Sequence, residues 1–143
     1  MQIPRKSATI LVVEDNEDNR VIYGTMLRAH GFIVHEAESA EPALALVRST
    51  PPDLVLMDIG LPAMDGVEAT RVLKGDPETA NIPILALTAH ALLSERQRAM
   101  QAGVDGYLVK PIGVAALIRE VERALEQATL RSPESSNDRT TQQ

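Results

Sequence analysis

Apolar positions along the chain alternate between two kinds of segment. Short, nearly unbroken apolar runs occur at 9–13, 32–36, 54–57, 82–87 and 106–109, and each predicts a strand buried on both faces. The stretches between them carry apolar residues at helical spacing. Val21, Ile22, Met26 and Leu27 form one such face; Ala43, Leu44 and Val47 form the next. Val67, Thr70, Val72 and Leu73 give a third, and Leu92, Leu93, Ala99 and Met100 a fourth. Val114, Leu117, Ile118, Val121 and Leu125 give the last. Gly31, Gly75 and Gly103 sit where helices should stop, and Ser39 and Asp65 where they should start. Pro42 falls in a first turn, where its missing N–H costs little. Five strand–helix pairs in about 120 residues predict one doubly wound α/β domain, a parallel sheet with helices on both faces.

Composition narrows the function classes. Aromatics are only 2%, so the core must be aliphatic, and readings that need stacking platforms for flavin or single-stranded nucleic acid weaken. Cysteine is absent, which removes disulfides, thiolate catalysis and cysteine zinc sites. The net charge of −6 argues against direct nucleic-acid binding. No apolar run approaches the roughly 20 residues of a membrane helix, and the short run after MQIPRKSA is no signal peptide, so a cytoplasmic location is expected. Residues 131–143 have no hydrophobic side chain and read as a polar, disordered tail. The expected division is an N-terminal arm at 1–8, one domain at 9–127 and the tail region at 128–143.

Chemistry collects at the predicted strand ends. Ligands of open parallel sheets bind beyond the carboxyl ends of the strands, at the point where strand order reverses. The first strand runs into Glu14-Asp15, the third into Asp58, the fourth into Thr88 and the fifth into Lys110; Glu36 ends the second, on the outer edge. Two carboxylates about 4 Å apart repel by on the order of 4 kcal/mol at an effective dielectric of 20. Lys110 supplies one remedy, and a hard divalent cation such as magnesium supplies a larger one. Such a rim suits phosphoryl transfer: cationic groups neutralise phosphoryl oxygens, a hydroxyl donates to one of them, and a carboxylate acts as nucleophile. Asp58, alone on the central strand opposite the acidic pair, is the candidate nucleophile.

With these residues in place, the chain from about Ile10 to Leu125 resembles the CheY-like receiver domains of two-component response regulators. The motifs are ILVVEDN, DLVLMDIGLPAMDG, ALTA and GYLVKPI, in that order. The VEDNEDN form is most similar to single-domain regulators of the DivK kind and to receivers of hybrid kinases. The resemblance implies a flavodoxin/CheY-like fold with strand order 2-1-3-4-5. It implies that Asp58 takes a phosphoryl group from a sensor histidine kinase or a histidine phosphotransfer protein, with Mg2+ held by Asp15, Glu14, Asp58 and the backbone carbonyl of Gly60. Thr88 resembles the switch hydroxyl and Tyr107 the switch aromatic; Lys110 resembles the phosphoryl-pairing lysine, followed by a cis bond to Pro111. Gly60 and His90 occupy positions that tune dephosphorylation in the family. The implied product is a phosphorylation-gated switch, not a turnover enzyme. Its surface of fourth helix, fifth strand and fifth helix changes affinity for a downstream protein, and it is a monomer or a phosphorylation-linked dimer.

Three rivals share parts of this pattern. A flavodoxin-type electron carrier wants a Ser/Thr-rich loop after the first strand, where this chain has acids. A haloacid-dehalogenase-type phosphatase wants a second acid two residues after the nucleophile, and Gly60 stands there. A receiver-like scaffold that ignores phosphate has no use for Asp58, Thr88 and Lys110 together.

Overall fold

The computed structural model describes residues 8–59, 66–90 and 92–130. In chain order these form β1 (Thr9–Val13), α1 (Glu17–Ala29), β2 (Ile33–Ala37), α2 (Ala40–Ser49) and β3 (Leu54–Asp58). There follow α3 (Gly66–Lys74), β4 (Ile84–Thr88), α4 (Leu93–Ala102), β5 (Gly106–Val109) and α5 (Val114–Leu130). The five strands make one parallel sheet in the order β2-β1-β3-β4-β5. The order reverses between β1 and β3, so a crevice opens there at the carboxyl edge.

The side-chain period of two explains why unbroken apolar strands suit this sheet. Leu11, Val13, Val55, Met57, Ile84 and Ala86 point to one face and pack with α2, α3 and α4. Ile10, Val12, Leu54, Leu56, Leu85 and Leu87 point to the other and pack with α1 and α5. Each fully buried leucine or isoleucine contributes about 1.5–3 kcal/mol relative to exposure. The core is aliphatic apart from Tyr23 and Phe32, both on the α1–α5 side.

Several local expectations shift. The second strand is Ile33–Ala37, one residue later than 32–36, and Phe32 turns into the core instead. The fourth begins at Ile84, because Ile82 closes a turn onto Thr79 and Pro83 has no N–H to offer a ladder. Val21 and Ile22 do not form the buried face of α1: they are half exposed, and Tyr23, Gly24 and Leu27 face the sheet. Leu92, Leu93 and Met100 are likewise exposed, and α4 buries only Ala99 and Ala102. Val114 also lies outside the buried face of α5. Ser39 is the N-cap of α2, yet its side chain makes no cap hydrogen bond. Gly31 and Gly103 adopt positive φ, 89° and 109°, at the ends of α1 and α4, as helix-stopping glycines do. His30, given no partner from sequence, places its Nδ1 3.0 Å from the Met26 carbonyl oxygen at the end of α1. Residues 128–130, expected in the tail region, continue α5 to Leu130, while 131–143, residues 1–7 of the expected arm, Asp65 and Gly60 lie outside the described residues.

Candidate functional site

The register of the sheet brings the chemistry together. Val13 pairs with Met57, so the next residues, Glu14 and Asp58, leave adjacent strands side by side. Asp58 pairs in turn with Leu87, which sets Thr88 just beyond it, and the Lys110 N–H donates to the Thr88 carbonyl at 2.7 Å. The carboxylates of Glu14, Asp15 and Asp58 present oxygens within 4.8 Å of one another. Glu14 and Asp58 are buried, at 1% and 6% exposure, while Asp15 is exposed.

Lys110 sits between the two buried acids. Its Nζ donates to Asp58 Oδ2 at 3.1 Å and lies 2.8 Å from Glu14 Oε1. The second contact is an ion pair only: no hydrogen bond satisfies Glu14 Oε1, a buried oxygen that a cation could serve. Burial raises the Glu14 carboxyl above its ordinary 4.5; the Lys110 ammonium beside it opposes this, and the charge of Asp58 adds to it. Burial would lower Lys110, but Glu14 and Asp58 outweigh it and hold the ammonium above its ordinary 10.5. A cluster of three carboxylates and one lysine, with no cysteine or histidine among them, has the donor set of a hard oxygen-loving cation.

The acidic pair is held by neighbours that sequence reasoning passed over. Asn16, not Glu14 or Asp15, caps α1: its Oδ1 accepts from the Asn19 N–H at 2.9 Å. The Asn16 N–H donates to Glu14 Oε2 at 3.2 Å, so the cap also aims the buried acid. Arg20, one turn into α1, donates from Nη1 to the Glu14 carbonyl at 2.7 Å and from Nε to Glu36 Oε1 at 3.3 Å. The run EDNEDNR contains Glu14, Asn16 and Arg20, but nothing in the run itself says which way Arg20 turns. Gly66 is a second residue passed over. A Cβ there would overlap the Asp58 carbonyl oxygen and stand 2.6 Å from Ile59 Cα. The start of α3 thus presses on the backbone of Asp58, which only glycine permits.

Thr88, 3% exposed, turns toward α4. Its Oγ1 lies 2.7 Å from Glu95 Oε1 and 2.8 Å from the His90 carbonyl, and accepts the His90 N–H at 3.0 Å. Tyr107 is half-buried, with its hydroxyl 3.4 Å from the His90 carbonyl and the Arg96 guanidinium 5.6 Å from its ring centroid. Burial pushes the Tyr107 phenol up; the Thr88 hydroxyl opposes this, and the charge of Glu95 adds to it. The Lys110–Pro111 bond is cis. His90 is exposed just before α4, and His35 has intermediate burial on the edge strand. Among the described residues no helix is long and apolar enough to cross a membrane.

Known proteins resemble this chain in sequence and fold. The model of the response regulator receiver domain family matches residues 10–122. The polar-differentiation response regulator DivK of Brucella ovis is 38% identical over 120 residues, covering 84% of this chain and 98% of DivK. The receiver domain of a sensor histidine kinase from Pseudomonas aeruginosa, solved with a magnesium ion coordinated in its active site cleft, is 37% identical. It superposes with a TM-score of 0.79 over 84% of this chain and 98% of that one. A CheY-like receiver domain protein from Methanospirillum hungatei is 25% identical and reaches 0.82 over 87% of this chain and 98% of its own.

Proposed function

The chain belongs to the response regulator receiver domain family, the phosphoacceptors of two-component signalling, and from that premise we propose that Asp58 is its phosphoryl acceptor. One observation carries the assignment: Asp58 shares a rim with buried Glu14, exposed Asp15 and Lys110, at the crevice where strand order reverses. The donor is a phosphohistidine of a sensor kinase or phosphotransfer protein. A carboxylate oxygen of Asp58 forms a bond to phosphorus as the phosphorus–nitrogen bond breaks. The electron pair returns to the imidazole nitrogen of the donor, which takes a proton from solvent.

The remaining residues supply charge and position. Glu14 Oε1, which accepts no hydrogen bond, and the oxygens of Asp15 and Asp58 fit Mg2+. Gly60, whose backbone carbonyl completes the proposed set, lies outside the described residues. The cation, when bound, neutralises the acids and the phosphoryl oxygens. Lys110 already bonds the acceptor carboxylate, so a short movement of its ammonium reaches a phosphoryl oxygen instead. Phosphorylation adds about −1.5 to −2 charge at the rim. Thr88 then turns from α4 to donate to that charge, and Tyr107 follows into the space beside it. The surface that changes is α4–β5–α5, where Leu93, Met100 and Val109 stand exposed, ready for a downstream protein. The chain acts by changing state, not by turnover.

Radiolabelled acetyl phosphate with magnesium tests the assignment. The parent protein should take up label, and Asp58→Asn should keep its circular dichroism and take up none. Equal labelling of the two proteins overturns the acceptor role of Asp58.

A further inference from the structure

We propose that Glu95 is a positioning residue: its carboxylate competes with the phosphoryl group for the Thr88 hydroxyl and so sets how readily the chain switches. The inference rests on the roles proposed above for Asp58 and Thr88. Thr88 has one proton to give. Two acceptors lie in reach, Glu95 Oε1 at 2.7 Å and the His90 carbonyl at 2.8 Å, and a carboxylate is the stronger of the two. With the His90 N–H donating to the same oxygen, the hydroxyl is satisfied on the α4 side of the site.

The place of Glu95 in its helix makes this bond consequential. It is the third residue of α4, where a glutamate ordinarily reaches back to the N-cap N–H. The N-cap here is Leu92, which has no side-chain cap to offer, and Glu95 reaches across to β4 instead. The first turn of α4 has little else to hold it. Leu92 and Leu93 are 58% and 70% exposed, and the buried residues of the helix, Ala99 and Ala102, lie at its other end. The next residue, Arg96, covers the ring of Tyr107. One helical turn therefore touches both switch residues, and it is tied to the sheet through Thr88. When Thr88 leaves for the phosphoryl group, that tie breaks and the turn is released. A weaker tie favours the switched state before any phosphoryl group arrives, which raises apparent affinity for whatever selects that state.

Beryllofluoride with magnesium, a phosphoryl mimic, provides the test by titration. Glu95→Ala should bind it about three- to tenfold more tightly than the parent, since the His90 carbonyl remains as a weaker acceptor. Glu95→Gln, which keeps a neutral acceptor, should fall between the two. In a Thr88→Val background, Glu95→Ala should have no effect. In the unliganded Glu95→Ala protein the Thr88 methyl resonance should also move toward its beryllofluoride-bound position. Unchanged affinity in both Glu95 variants, or the same gain with Thr88→Val, overturns the role of Glu95. Asp58→Asn separates the two levels: if it still binds the mimic as the parent does, the acceptor assignment fails instead.

Discussion

Glu14 is the residue whose surroundings are most at odds with its charge. It is almost fully buried, beside another acid, with Lys110 as its counter-ion and one oxygen without a hydrogen bond. Burial holds its folded pKa above the ordinary 4.5, so the folded protein binds this proton more tightly than the unfolded chain. The stabilisation from this group is complete below about pH 4.5 and is lost as the pH rises through the raised folded value. Glu14→Gln cannot ionise. In the presence of EDTA, the stability of this variant relative to the parent should rise across that window and then level off. Urea unfolding at a series of pH values measures it, and a flat difference contradicts the burial argument. The acid itself was legible at the end of the first strand. Its burial was not, because an acidic pair ahead of a helix reads equally as a solvated cap. Asn16 does the capping and frees the pair for the crevice.

Elements place these residues through strand register and one close approach. The sheet puts Glu14 beside Asp58 because Val13 pairs with Met57, and α3 abuts the Asp58 backbone at Gly66. Gly66→Ala should destabilise the protein by about 1–3 kcal/mol, as overpacking does, and should slow labelling by acetyl phosphate as the backbone of Asp58 shifts. Chemical denaturation and initial labelling rates read both effects; a neutral outcome in both would mean that α3 retreats without cost. Strands were read from sequence to within two residues at each end, since runs such as LVLM admit one burial pattern. Helix faces were harder. Val21 and Ile22, or Leu92 and Leu93, are apolar but point to solvent, because α1 turns Tyr23, Gly24 and Leu27 to the sheet and α4 buries only Ala99 and Ala102. Tertiary clamps such as Arg20 on the Glu14 carbonyl, or Lys74 on Asp105 at 3.1 Å, link positions whose meeting depends on the finished fold.

For the whole molecule, the parallel order β2-β1-β3-β4-β5 gathers residues from four strand ends into one charged rim, far apart in sequence and adjacent in space. Lys110 offsets one charge among the rim's three acids, and the remaining negative charge means that magnesium should stabilise the fold. At tenfold over its dissociation constant it should add about 1.4 kcal/mol, roughly a 5 °C rise in Tm, reversed by EDTA. Glu14→Gln and Asp58→Asn should reduce that rise, and an equal rise in both variants would place the cation elsewhere. The order of strands and the rim were legible together because the motifs at the four ends reinforce one another, where each alone reads as a turn, a cap or a surface lysine. Switching in this molecule depends on where the phosphoryl group lands. The most direct measurement treats the protein with acetyl phosphate and magnesium, reduces the acyl phosphate with borohydride and maps the peptides by mass spectrometry. Homoserine is expected at the position of Asp58 and at no other acid; reduction at Asp15 or Glu14, or at none of the three, would contradict the acceptor role of Asp58.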